Sequence, residues 1–144
     1  MQLLRNTPEF KPSEVTVAEE VIESYLDNPE GSGYYIFVAV IASSIAGYLC
    51  YGPTPLTENT WDIYWIAVSA EKRGSGIGSA LIKAAEKEIR HAKGRLVIIE
   101  TSSTPAYEET IRFYLGCGYE MIARIPDFYS AGDDKLVLQK RLSY

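Results

Sequence analysis

The stretch IYWIAVSAEKRGSGIGSALIKAAEKEI, residues 63–89, holds the signals that decide how this chain folds. It opens with an apolar run ending at Val68, passes through a polar connection and reaches glycines at alternate positions. Apolar residues then recur at the spacing of one helical face, at Ile77, Leu81, Ala84, Ala85 and Ile89. The stretch therefore predicts a strand, a glycine-rich turn and an amphipathic helix that lies on a sheet.

The glycines of this turn, Gly74, Gly76 and Gly78, stand where the predicted helix begins. Glycine adopts backbone conformations that other residues avoid, and its missing side chain allows a ligand to approach the backbone closely. The first turn of a helix offers N–H groups without intrahelical partners and the positive end of the helix dipole. With the cation of Arg73 beside it, this turn predicts an anion site suited to phosphate.

Known phosphate-binding motifs fit this turn unequally. A P-loop requires Lys and Ser or Thr after its last glycine, whereas Ser79 and Ala80 occupy those positions. A dinucleotide-binding fingerprint nearly fits from Gly74 to Ser79, and Glu100 could contact the ribose. However, a polar connection separates this segment from the strand that ends at Val68, and repeated strand–helix units are missing. The dinucleotide interpretation is kept as a minor alternative.

The whole chain, residues 1–144, is expected to form one domain that folds without disulfides or cofactors. A net charge of −5 disfavours nucleic acid as a partner, because binding to nucleic acid depends on clustered Lys and Arg. Cys50, Cys117 and His91 are isolated, so neither a metal site nor a Cys–His pair is predicted. The N-terminus lacks the pattern of a secretory signal, and a cytoplasmic protein is expected.

An uncharged run from Tyr34 to Tyr51 is long enough to be considered as a membrane span. Its β-branched and aromatic residues lie on both sides of Ala42-Ser43-Ser44, which favours two buried strands joined by a tight turn. No membrane segment is therefore predicted.

The remaining elements follow from periodicity and from turn residues. We predict helices over Ser13–Leu26 and from Thr104-Pro105 to Gly116, strands over Thr60–Val68 and Arg95–Glu100, and a closing hairpin of Tyr119–Ile125 and Lys135–Leu142 around a turn at Asp127–Asp134. The strand at Arg95 returns after the glycine turn and its helix as a β-α-β crossover.

Two patterns in the chain resemble one known family. Arg73-x-x-Gly76-x-Gly78 is similar to the coenzyme A pyrophosphate loop of the GCN5-related N-acetyltransferase (GNAT) superfamily. Phe113-Tyr114-x-x-x-Gly118-Tyr119 resembles the helix-to-strand motif of the same superfamily. The resemblance covers about Tyr34 to Leu142 and implies an α/β fold with a mixed, partly open sheet flanked by helices.

The N-terminus departs from the family pattern. Family members usually begin with a strand and two helices before the first hairpin, whereas only Met1 to Leu26 precede it here. We expect the usual first strand and most of the first helix to be missing. The sheet edge near the first hairpin would then be open or covered by a second copy, so a homodimer is considered.

The resemblance implies acetyl-CoA as co-substrate and assigns residues to it. The pyrophosphate would lie on the loop formed by Arg73, Gly74, Ser75, Gly76, Ile77, Gly78 and Ser79, and the pantetheine arm would pair with Ile66, Ala67 and Val68. Tyr114 would lie beside the sulfur.

The implied reaction is acetyl transfer from the thioester to a primary amine of a small molecule, amino acid or peptide N-terminus. Such a reaction needs a base for the amine and benefits from an acid for the thiolate. The resemblance assigns the acid to Tyr114 and the base to Glu100 or Asp62, of which we expect Glu100 to rank first because it ends its strand. A rim of Asp127, Tyr129, Asp133 and Asp134 could surround the amine. A coenzyme A-binding sensor without turnover is the alternative.

Overall fold

The structure, a computed structural model, describes residues 33–41 and 44–143. The predicted helix at Ser13–Leu26 and the expected loss of a first strand lie outside these residues. The described part contains strands β1 (Tyr35–Ile41), β2 (Ser44–Pro53), β3 (Thr60–Val68), β4 (Leu96–Ser102), β5 (Glu120–Ser130) and β6 (Asp133–Arg141), with helices α1 (Ile77–His91) and α2 (Glu108–Gly116). Short 3₁₀ turns precede the helices at Ala70–Lys72 and Pro105–Tyr107.

The six strands form one open sheet in the order β1-β2-β3-β4-β6-β5. Only β3 and β4 run parallel, and α1 connects them, as the β-α-β crossover requires. The other neighbouring pairs are antiparallel. This mixed sheet with flanking helices confirms the fold class predicted from the sequence.

The two parallel strands diverge along their length. Thr60–Ile63 of β3 pair with Leu96–Ile99 of β4. Beyond these residues β3 continues to pair with β2 on its other side, and β4 continues to pair with β6. The sheet is therefore split between β3 and β4, and the split opens at the carboxyl ends of both strands.

The apolar face of α1 explains why the crossover packs on the sheet. Leu81, Ile82, Ala85 and Ile89 are buried against a core that includes Leu49 of β2, Ile99 of β4 and Leu138 of β6. Burying each large aliphatic side chain contributes about 1.5–3 kcal/mol. The helix predicted from the spacing of these residues thus forms and covers one face of the sheet.

The segment from Tyr34 to Tyr51 forms the hairpin of β1 and β2, as predicted. Among the residues that the structure describes, no helix is long and apolar enough to cross a membrane.

Several element boundaries differ from the sequence expectation. The predicted turn at Asp127–Asp134 is mostly strand, since β5 runs to Ser130 and β6 begins at Asp133. Asp127 adopts a positive φ of 55°, its N–H donates to Asp134 Oδ1, and its own Oδ1 accepts from Gly132 N–H. These side-chain acceptors replace the sheet pairing at an irregular part of β5, so the polar residues remain within a hairpin.

Candidate functional site

The glycine-rich turn forms the entrance to α1. Gly74 and Gly76 have φ values of 82° and 84°, a region that costs residues with a Cβ about 1–2 kcal/mol. The amide of Ala80 donates the first α1 hydrogen bond to Gly76 O over 3.0 Å. Helix geometry leaves the N–H groups of the three preceding residues without intrahelical acceptors. Arg73 is anchored beside them, because its Nε donates to Val68 O over 3.3 Å.

A cavity of about 910 Å³ extends from this turn through the split in the sheet. Its wall includes residues of β3, of the glycine-rich turn, of β4, of α2 and of the β5–β6 hairpin. Of the predicted cofactor residues, those that line it are Ile66, Ala67, Val68, Arg73, Gly74, Gly76, Gly78, Ser79 and Tyr114. Ser75 and Ile77 are not part of this lining, and the Ile77 side chain is buried in the core.

The lining residues belong to two opposite faces of the sheet. Ile63 and Ile99 pack in the core under α1, so their strand neighbours Asp62 and Glu100 point to the other face. Ser102 lies two residues beyond Glu100 and shares its face. The cavity therefore joins the helix-covered face, where the glycine-rich turn lies, to a face that presents carboxylates.

Asp62 is a half-buried carboxylate in this wall. It accepts a hydrogen bond from Thr54 Oγ1 over 2.7 Å. Burial raises the pKa of Asp62 above its usual value, and the negative charge of Glu100 adds to this, whereas the hydrogen bonds from the Thr54 and Tyr64 hydroxyls and the positive charge of Lys135 lower it. Burial, with the charge of Asp62 second, raises the pKa of Tyr64 to about 12. The Asp62 carboxylate therefore binds a proton more readily than an exposed aspartate does.

Glu100 is held by a cation that the sequence analysis did not single out. Lys135 of β6 lies with its Nζ 3.0 Å from Glu100 Oε2, and the same Nζ lies 4.4 Å from the centre of the Phe128 ring. The Glu100 side chain is 49% exposed. Because Lys135 is paired with Ser102 across two antiparallel strands, only the register of β6, which sequence spacing does not give, could have placed it here.

The predicted acidic rim separates into two groups. Tyr129 and Asp133 line the cavity, whereas Asp127 and Asp134 bond within the hairpin and do not line it. The hydrogen bond from the backbone of Asp127, with Arg124 second, lowers the pKa of Asp134. Asp133 is 2% exposed and accepts a short hydrogen bond from Ser102 Oγ, which ties the hairpin to the end of β4.

Tyr114 projects from α2 and is buried in the wall of the cavity. Its ring centre lies 6.3 Å from that of Tyr119. The Tyr119 hydroxyl donates a hydrogen bond to Glu86 Oε2 of α1 over 2.8 Å, and Lys140 Nζ of β6 lies 3.0 Å from Glu86 Oε1. Burial, reinforced by the charge of Glu86, raises the pKa of Tyr119. This buried network fixes α2, and with it Tyr114, against α1.

Cys50 and the potential metal ligands among the described residues are further candidates for chemistry. In the ranges 33–41 and 44–143, no three His, Cys, Asp or Glu side chains are grouped to hold a metal ion. Burial raises the pKa of Cys50 to about 12, so its thiol stays protonated.

Comparisons with known proteins agree with this geometry. The model of the acetyltransferase (GNAT) family matches residues 2–119. An uncharacterized N-acetyltransferase from Methanocaldococcus jannaschii is 29% identical over 109 residues, which are 73% of this chain and 65% of that protein. The chain thus spans less than two thirds of the length of this curated relative.

Solved structures give the same family. A structure assigned to the GNAT acetyltransferases, from Desulfovibrio desulfuricans, superimposes with a TM-score of 0.95 at 39% identity. The superposition covers 99% of this chain and 89% of the Desulfovibrio chain. An aminoglycoside 6'-N-acetyltransferase in complex with coenzyme A has a TM-score of 0.76 at 21% identity, over 99% of this chain and 88% of its own. At that identity the second likeness shows the fold alone.

Proposed function

The chain belongs to the acetyltransferase (GNAT) family, and from that premise we propose that it transfers the acetyl group of acetyl-CoA to a primary amine. The observation that carries the proposal is the split between β3 and β4, because it opens one continuous cavity beside an anion-binding turn. Donor and acceptor would reach the split from opposite faces of the sheet and meet within it.

The cofactor would be held by its pyrophosphate at the start of α1. The N–H groups of the glycine-rich turn, the helix dipole and Arg73 supply positive charge there, and each favours a phosphate. The aminoglycoside 6'-N-acetyltransferase of similar fold is complexed with coenzyme A, which supports the choice of cofactor. The pantetheine arm would then follow Ile66 to Val68, whose backbone faces the split because β4 no longer pairs with it.

Acetyl transfer in this cavity would proceed by direct attack. The amine nitrogen attacks the thioester carbonyl carbon, the C–S bond breaks, and the amine gives up a proton. A backbone N–H of β3 within Ile66–Val68 would stabilise the oxyanion formed on the way. No covalent intermediate on the protein is required.

Two carboxylates compete for the amine proton, and the geometry favours Asp62. Its pKa is raised by burial and by Glu100, which brings the carboxylate closer to the range where a base works well at neutral pH. Glu100, ranked first from its place at the strand end, is engaged by Lys135 over 3.0 Å. We therefore assign the base to Asp62, which would take the proton directly or through a water. Burial and the nearby charge of Glu100 are what raise its pKa.

Tyr114 would act as the acid that protonates the leaving thiolate. A phenol has a pKa near ~10, so it stays protonated at neutral pH until the thiolate forms. Tyr114 lines the cavity on the helix-covered face, together with the cofactor residues. The network of Tyr119 and Glu86 would keep its ring in place.

The test is release of free coenzyme A thiol from acetyl-CoA in the presence of a panel of primary amines. Amine-dependent thiol release, with an equal amount of acetylated amine, is the expected result. Binding of acetyl-CoA without turnover on any amine would favour the sensor alternative. Binding of NAD in place of acetyl-CoA would favour the dinucleotide alternative, against which the largely antiparallel sheet already argues.

A further inference from the structure

We propose that Thr54 is a positioning residue of this site: its hydroxyl, held in place by the segment Pro53-Thr54-Pro55, fixes the orientation of the Asp62 carboxylate. This inference rests on the proposed function, because the orientation of Asp62 matters to the reaction only if Asp62 takes the amine proton. It follows from one hydrogen bond, from the way the backbone of Thr54 is anchored and from the prolines on either side of it.

A hydroxyl from outside β3 contacts one defined oxygen of the base. Thr54 Oγ1 donates to Asp62 Oδ2 over 2.7 Å at a half-buried position. The terminal torsion of an aspartate side chain is broad, so the strand that carries Asp62 does not by itself fix the plane of the carboxylate. A hydrogen bond to one oxygen removes much of this freedom and is stronger when the acceptor is ionised. The bond thus orients Asp62 and favours its ionised form.

The backbone of Thr54 is anchored next to the base. Thr54 comes directly after β2, in which Gly52 pairs with Asp62 of β3. The N–H of Thr54 donates to Thr60 O over 2.8 Å, which closes the connection between the two strands. The donor and the acceptor of the hydroxyl bond are therefore held at the ends of two paired strands.

The neighbours of Thr54 limit its conformation further. Pro53 has a fixed φ, and Pro55 disfavours the helical region for the residue before it. Threonine is itself β-branched, so few side-chain rotamers are open to it. A threonine between two prolines therefore loses little conformational entropy when its hydroxyl bonds to the base. A segment typical of a surface turn thus acquires a role in the site.

The charged and titratable groups that act on Asp62, among the residues that the structure describes, come from three strands. Burial raises the pKa of Asp62, and the Thr54 hydrogen bond is the largest of the effects that lower it. Glu100 of β4 raises the pKa, whereas Tyr64 of β3 and Lys135 of β6 lower it by less than Thr54 does. Loss of the Thr54 hydroxyl should therefore raise the pKa of Asp62 even with these groups in place.

The pKa of Asp62 in the protein without substrate tests the bond itself. The side-chain carboxyl carbons of aspartate would be labelled with ¹³C and followed by NMR across pH, and the Asp62 signal would be identified by its loss in Asp62→Asn. Thr54→Val keeps the shape of the side chain but removes the donor, and should raise this pKa by about one pH unit. Thr54→Ser keeps the donor and should leave the pKa near the wild-type value. An unchanged pKa in Thr54→Val would overturn the inference.

Turnover tests whether the bond matters to the reaction. At saturating acetyl-CoA and primary amine, the acidic limb of kcat should move to higher pH in Thr54→Val, because Asp62 must be ionised to take the proton. The plateau of kcat should also fall by about ten- to hundredfold, because the base is no longer held toward the amine. The KM for acetyl-CoA should be unchanged, since the bond does not involve the cofactor residues. Thr54→Ser should restore both the limb and the plateau.

Thr57→Val is the matched control, because it removes a hydroxyl from the same connection and leaves the bond to Asp62. Thr57 Oγ1 donates to Thr54 O over 2.8 Å at an exposed position, where water can take its place. This variant should keep the wild-type pKa of Asp62 and the wild-type acidic limb. An equal shift in Thr57→Val would assign the effect to a loosened connection and overturn the role of the hydroxyl. Thr54→Ala removes the same donor and should shift the pKa in the same direction as Thr54→Val, so the test does not depend on one folded variant.

The two readouts separate this inference from the proposed function. A raised pKa in Thr54→Val with an unmoved acidic limb would show that the bond exists but that Asp62 is not the base, which contradicts both the positioning role and the assignment of the base. An unmoved pKa in a protein that acetylates amines would overturn the positioning role alone. No thiol release with any primary amine would overturn the proposed function and the positioning role with it.

Discussion

Replacement of Asp62 by Asn tests the assignment of the base with little change of shape. The amide oxygen can still accept the hydrogen bond that Thr54 Oγ1 donates over 2.7 Å, so the wall of the cavity should be kept. What the variant loses is the proton-accepting charge. General base catalysis typically contributes about 10²- to 10⁴-fold, and kcat/KM should fall by that amount while affinity for acetyl-CoA stays within about twofold.

The same variant has a predicted effect on stability with a definite sign. The pKa of Asp62 in the folded protein lies above its ordinary value of 3.8, so its contribution to stability is present below that ordinary value and is lost as pH rises through the folded pKa. Asn does not titrate. The free energy of unfolding of Asp62→Asn, relative to that of the wild type, should therefore increase as pH rises from about 4 toward neutrality.

Two measurements check this prediction. Thiol release at a saturating concentration of a primary amine, followed from acidic to alkaline pH, should show an acidic limb in kcat for the wild type and for Glu100→Gln, but not for Asp62→Asn. Urea unfolding at several pH values gives the stability difference. Loss of the acidic limb only in Glu100→Gln would refute the reasoning and restore the ranking drawn from sequence. Survival of the limb in both variants would mean that the amine reacts without a protein base.

Other parts of the site give three further predictions. Tyr114→Phe should lower kcat, measured by thiol release, by about 10²-fold or more, and should keep the acetyl-CoA affinity measured by calorimetry. A wild-type rate from pH 6 to 10 would mean that the Tyr114 ring only packs in the wall of the cavity. Gly76→Glu should abolish acetyl-CoA binding measured by calorimetry, because it places a negative charge and a strained residue in the turn. The control Gly116→Glu, at the open end of α2, should bind acetyl-CoA normally. Binding by both variants would refute the pyrophosphate site. Tyr119→Phe should lower the free energy of unfolding by about 1.5–3 kcal/mol in urea, since it removes a buried hydrogen bond to charged Glu86, and no change would show that this bond contributes nothing.

Local patterns in the sequence were enough to predict the fold. The helical spacing of Leu81 and Ile89 and the glycines before them predicted the crossover of β3, α1 and β4. The hairpin of β1 and β2 followed from its β-branched residues. These features depend on neighbours within a few positions, where periodicity and turn chemistry are informative.

The composition of the site depends on pairings that sequence spacing does not encode. Lys135 reaches Glu100, and Asp133 reaches Ser102, only because β6 inserts between β4 and β5 in a particular register. The hairpin boundaries were also wrong, since Asp127 and Asp134 support an irregular strand that looks like a long turn in the sequence. The preference for Asp62 over Glu100 likewise requires burial and a cation from another strand.

The central claim is that the split between β3 and β4 joins acetyl-CoA to a primary amine, and the product of the reaction tests it most directly. The protein would be incubated with acetyl-CoA that carries an isotope-labelled acetyl group and with a panel of primary amines, and all products would be identified by mass spectrometry. The account predicts an acetylated amine that carries the label, in an amount equal to the coenzyme A released. Coenzyme A released with only labelled acetate, or bound acetyl-CoA that stays intact, would contradict it.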